Sequence, residues 1–190
     1  MKMQSLKMQV IAAFAILTSA VSAQNINKFV ISDEAAKKTL IKYEISADTA
    51  AKITQACVDF ATKNNMAVSV FILSPTGQIV HAHRMDGQVP INTETALSKA
   101  QSVLYTRDST HARANQVANN VSLQLRWDKL PVFPTSGGLP IIVDGQMIGA
   151  IGVGGGNRDE ECAYQALTTV VGPQPPLAAN LPAVAPAPAK

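Results

Sequence analysis

The stretch from Gly137 to Gly156, GGLPIIVDGQMIGAIGVGGG, constrains this chain more than any other. Its centre, Asp144-Gly145, lies between two short apolar runs. An Asp-Gly pair so placed is a strong hairpin signal, because a tight turn needs positive φ and glycine takes it without steric cost. The spacing predicts antiparallel strands over 140–143 and 147–153. Gly149 and Gly152 carry no side chain, so a helix, another backbone or a ligand can approach closely there. The run Gly154-Gly155-Gly156 leads into Asn157-Arg158-Asp159-Glu160-Glu161, with acids where a helix N-terminus favours them. Two readings follow: tight packing and turning, or an anion site at the helix start. The nucleotide-binding glycine patterns do not match, since 152–157 reads GVGGGN and no Gly-Lys-Ser/Thr follows.

The two ends frame one domain. Lys2 and Lys7 precede and flank a short apolar run, Met8 to Leu17, followed by small residues at Val21 and Ala23. This is the pattern of a secretory signal peptide over 1–23, cut after Ala23, and the run is too short to span a membrane. Removing it lowers the formal charge from +3 to +1, which gives no electrostatic case for nucleic acid or an anionic membrane. Residues 24–47 form an N-terminal segment with a short helix expected around 31–40, capped by Ser32 or Asp33. At the other end, 172–190 is a flexible Pro/Ala-rich tail, extended or disordered, because proline fixes φ and removes donors. Between them, 48–171 is long enough for a single core. Its two cysteines, Cys57 and Cys162, both fall in expected helices. An exported chain can pair them, and they can equally be two separate small core residues.

Apolar periodicity places a helix over 48–64, with Asp48 as an available cap and Ala50, Ile53, Cys57 and Phe60 on its buried stripe. Strands follow over 66–73 and 78–85, joined by Ser74-Pro75-Thr76-Gly77. A helix capped by Asn92 or Thr93 reaches about Tyr105, and His111 to Leu125 reads as another. A last helix runs from Asp159 to about Thr169. Two hairpins joined by helices favour an α/β fold, one mostly antiparallel sheet with flanking helices.

Few residues carry obvious chemistry. His81 and His83 are two apart on a strand and share a face. There they can ligate a transition metal or haem iron, or stand as surface residues on a wet face. Asp86 can orient Arg84 towards a carboxylate, or simply make a local turn. Lys99 can line a pocket floored by the sheet or reach solvent. Arg107-Asp108-Ser109-Thr110-His111 gathers an ion pair, two hydroxyls and an imidazole at a helix end, where Ser109 or Thr110 also suits an N-cap. Cys-x-x-Cys-His, Gly-x-Ser-x-Gly and His-Glu-x-x-His are all absent, which removes covalent haem attachment through that motif, the hydrolase elbow and the zincins.

Arg84-Met85-Asp86-Gly87, Ala96-x-x-Lys99-Ala100, Gly137-Gly138-Leu139-Pro140-Ile141 and Gly149-Ala150-Ile151-Gly152-Val153 occur in this order and together resemble the GlcG/HbpS family. The resemblance covers about 48–170. It implies a profilin-like sandwich, assembly into homo-oligomers and, in some members, binding or slow degradation of haem near a helix-end threonine. The residues on its motif positions are Arg84 and Lys99, with Arg107, Ser109 and Thr110 at the helix end; His111 is a further cofactor candidate, and His81 and His83 further iron ligands, from the residues themselves. Two positions depart from the family pattern: Ser74 stands for an aspartate, and Gly154 for a serine. The expected function is therefore an exported small-ligand binder, with haem the foremost ligand. An enzyme or sensor for a small organic acid, held by Arg84 and Lys99, is the alternative, as is a ligand-free oligomeric interaction module.

Overall fold

The computed structural model describes residues 43–180 apart from Asn119. The expected leader, the helix around 31–40 and the last ten residues lie outside the described part. Helix α1, Ala47–Lys63, is capped by Ser46, whose hydroxyl accepts from the Thr49 amide. Asp48, the expected cap, instead lies in the first turn and pairs with Lys52. Strands β1, Ser69–Leu73, and β2, Ile79–Arg84, form the first hairpin. Ser74 closes its turn by accepting from the Gln78 amide, a bond an aspartate would also provide.

Helix α2 spans Pro90–Thr106 and begins earlier than expected. Pro90 takes the first helical position, where a missing N–H costs nothing. Asn92 and Thr93, the expected caps, turn instead to Gln88 and Ser69. The helix read over 111–125 is two, α3 at Thr110–Val117 and α4 at Val121–Trp127. Asn120 splits them, because its side chain accepts from the Leu123 amide and caps a new helix. Ser109 caps α3.

The second hairpin forms where the sequence placed it. Strands β3, Gly138–Val143, and β4, Gln146–Gly154, meet at Asp144 and Gly145, both with positive φ (50° and 74°), as a two-residue hairpin turn requires. Helix α5, Asp159–Val170, ends the domain. The strands make one four-stranded sheet in the order β2-β1-β4-β3, every pair antiparallel. The fold is an α/β sandwich with α1 and α5 against one face and α2 against the other. Val70, Ile72, Leu139, Ile141, Ile151 and Val153 meet Ile53, Ala163 and Leu167 in the α1–α5 layer. On the α2 side the helix lies almost on the backbone of β4, and a Cβ at Gly152 would overlap the Ala96 carbonyl oxygen.

Cys57 and Cys162 form a disulfide, which decides between the two readings left open by the sequence. It joins α1 to α5 with both residues fully buried. After α5 the chain, without regular secondary structure, passes the outer edge of β3 at Gln174 and reaches Asn115 of α3 at Ala179. There the Gln174 side chain bonds both the amide and the carbonyl of Ile142 (3.0 and 2.9 Å). No described helix is long and apolar enough to cross a membrane.

Candidate functional site

The close approach of α2 to glycine backbone fixes the polar centre of the molecule. It carries Lys99 to the start of β3, where the lysine ammonium lies against Gly137 in the space a Cβ would need. Its ammonium donates to Asp159 Oδ2 and to the Val153 carbonyl, each at 2.8 Å. Both members of this pair are buried, 5% and 6% exposed. The other oxygen of Asp159 accepts from the Gly156 amide at 2.8 Å. The start of α5 is thus filled by the chain's own carboxylate, and the glycine run serves packing and turning at this point. Lys99 is committed to an internal ion pair and is not presented to a ligand.

Thr110 and His111 stand beside this pair. The Thr110 hydroxyl accepts from the Gly138 amide at 2.9 Å, tying the start of α3 to β3. His111 Nδ1 lies 2.8 Å from Glu160 Oε2. The second oxygen of Glu160 is buried and has no hydrogen-bond partner among the described residues. Burial pushes the Glu160 carboxyl above the ordinary glutamate range, opposed by its hydrogen bond to His111 and by the charges of His111 and Lys99. A carboxyl raised on folding binds its proton more tightly in the native state. Its contribution to stability is therefore full below the ordinary glutamate pKa and fades as pH rises through the shifted one. Glu160→Gln is expected to flatten the fall in stability that sets in as pH rises above the ordinary glutamate pKa, about 4.3. Urea midpoints that fall with pH equally in both proteins would refute this.

The other sequence candidates are dispersed. His81 and His83 do share a face of β2, at the sheet edge opposite β3. His81 Nδ1 lies 3.1 Å from the Thr54 hydroxyl on α1, and His83 is exposed. No group of three or more His, Cys, Asp or Glu side chains able to hold a metal occurs among the described residues. Arg84 donates to the Gln88 carbonyl at 2.6 Å, not to Asp86. Arg107 ends α2 in the left-handed region, exposed, with Met147 Sδ at 4.0 Å. Of the expected cofactor residues, the fold brings together Lys99, Thr110 and His111, and leaves Arg84 and Arg107 apart. Asp159 and Glu160 complete that centre. Sequence reasoning took them for helix-start acids, and three acids in a row after a glycine run were the signal available.

Two concavities are relevant. One, of about 190 Å³, lies between α3 and α5 and is lined by Ser109, Ala112, Tyr164 and Leu167 against residues 174–178. The other, of about 530 Å³, is an open groove between the β1–β2 turn and the end of α2, lined by Pro75, Gly77, Gln101, Leu104, Tyr105 and Pro131.

The family model described as "Haem degrading protein HbpS-like" matches residues 45–168. The chain belongs to the HbpS-like family. Among HbpS-like relatives, protein GlcG of Escherichia coli (strain K12) is 32% identical over 113 residues, 59% of this chain and 82% of GlcG. The crystal structure of protein ORFY of Klebsiella pneumoniae is 29% identical with a TM-score of 0.62, covering 68% of this chain and 92% of ORFY. The PduOC:haem complex shares the fold at 24% identity and a TM-score of 0.59, over 67% of this chain and 95% of PduOC. The HbpS-like match spans all four described strands and the Lys99–Asp159 pair, and ends before the segment that contacts β3 through Gln174.

Proposed function

We propose that this HbpS-like chain is an exported protein that binds haem non-covalently in the groove at the end of α2. The observation that carries the reading is the groove itself. Its 530 Å³ lies in the range of small-molecule sites, about 300–1,000 Å³, and its walls are mostly apolar. Tyr105, 65% exposed, is its one lining side chain of a type that ligates haem iron. Arg107, two residues on and exposed, lies outside the lining of the groove. The family's description and the haem complex of PduOC support the choice of ligand. Bound haem would supply redox and dioxygen chemistry, while the chain's part is to seat the ring and ligate the iron.

A second reading has one specific observation behind it. Glu160 holds His111 Nδ1 and so leaves Nε2 as the free nitrogen, the arrangement typical of metal-ligating histidines. The cleft nearest α3 is only about 190 Å³, which favours the groove. Haemin titrated into the mature protein is expected to give a saturable Soret band at one-to-one stoichiometry. Tyr105→Phe is expected to abolish it and His111→Ala to keep it. The opposite pattern assigns the iron to His111, and no saturable band with wild type sinks the haem reading. The family's description also names degradation. For this chain that step is tested by following the loaded protein with a reductant and dioxygen, where decay of the band marks turnover.

Export is supported by the leader-like first 23 residues and by the buried disulfide, which suits an oxidising compartment. Recovery of the protein outside the cytoplasm with Gln24 at its N-terminus is the expected result.

A further inference from the structure

We propose that the cleft between α3 and α5 is a recognition groove for an extended proline-rich peptide, held shut by the chain's own residues 174–179. The occupant is Gln174-Pro175-Pro176-Leu177-Ala178-Ala179. Proline fixes φ and biases the residue before it towards extended backbone, so this segment reaches its bound shape with little entropy to lose. Pro175 and Pro176 have no amide to donate, and a groove that reads the segment offers donors to its carbonyls. Two are in place. Tyr164 Oη donates to the Gln174 carbonyl at 3.5 Å, and Asn115 Nδ2 donates to the Ala179 carbonyl at 2.8 Å. Between them Pro175, Pro176 and Leu177 line the cleft opposite Leu139, Ala112 and Leu167. Proline-rich extended segments generally dock against aromatic side chains, and Tyr164 supplies one here.

Gln174 fastens the occupant. Its side-chain amide gives and takes one hydrogen bond each with Ile142, as a neighbouring peptide would on an open sheet edge. The groove residues Asn115, Leu139 and Tyr164 fall inside the family match, whereas the occupant lies beyond its end at residue 168. The groove residues thus belong to the matched domain, and the occupant follows it in the chain. A short tether acts at millimolar effective concentration, so the strap excludes any free peptide that binds more weakly than that.

The test uses the full chain. A labelled peptide of residues 172–180 is titrated into wild type, Gln174→Ala and Gln174→Ala/Tyr164→Phe. Gln174→Ala is expected to raise amide exchange at Leu177, Ala178 and Ala179, and to bind the peptide at least about tenfold more tightly than wild type, because its own strap competes less well. Adding Tyr164→Phe is expected to weaken that binding, and a peptide with Pro175 and Pro176 replaced by alanine to bind worse. A released strap with no saturable peptide binding overturns the groove. Unchanged exchange in Gln174→Ala overturns the fastening, and equal binding of the alanine peptide overturns the preference for proline.

Discussion

Lys99→Met is expected to destabilise the domain by about 3–5 kcal/mol, the usual cost of removing one partner from a buried ion pair. The substitution keeps the length and apolar bulk of the stem, and the Lys99 carbonyl against Gly138 is unaffected. What it removes is the donor to Asp159 Oδ2 and to the Val153 carbonyl, both at 2.8 Å. Asp159 then keeps only the Gly156 amide, and its charge has no counter-ion at 6% exposure. The double variant Lys99→Met/Asp159→Asn is expected to recover a large part of the loss, since no uncompensated charge remains. Urea denaturation of the three proteins checks both steps. A single variant within about 1 kcal/mol of wild type would show that water reaches the pair. The same experiment separates structure from ligand binding: if Lys99 is internal, the double variant still gives the haemin titration of wild type.

Replacing Cys57 and Cys162 together with alanine is expected to cost about 2–5 kcal/mol. The bridge closes 105 residues of chain, nearly the whole domain, and in the chain-entropy account long loops gain most, about 4.7 kcal/mol at this length. The comparison is the urea midpoint of the double variant against wild type, with the slope checked because a cross-link also alters the unfolded state. Full burial makes a second, kinetic prediction. Reductant added to native wild type is expected to leave the bond intact over hours, and to reduce it rapidly once urea exposes the α1–α5 layer. A double variant as stable as wild type would mean that the apolar layer around Ile53 and Leu167 suffices alone.

The hairpin at Asp144-Gly145 was readable because its requirement is local: only certain residues accept positive φ at both turn positions. The helix stripes of α1 and α5 were readable for the same reason, since period and caps depend on neighbours in the chain. Where local rules competed, the sequence misled. Pro90 began α2 two residues before the expected caps, and Asn120 broke a helix whose apolar spacing ran on to Leu125. Motif order was enough to point to the family and to the single antiparallel sheet, because several glycines in fixed order leave few ways for a helix to lie on strands.

Only the tertiary structure decided which charges meet. Lys99 and Asp159 are 60 residues apart, and nothing in either neighbourhood says that one will find the other. The same holds for His111 with Glu160 and for the two cysteines, whose pairing needed α1 and α5 to lie side by side. Sequence determines what each segment is able to become, through torsional preference and hydrophobic period. Partnership between distant polar groups is settled only when burial removes water and leaves each of them a single neighbour to bond.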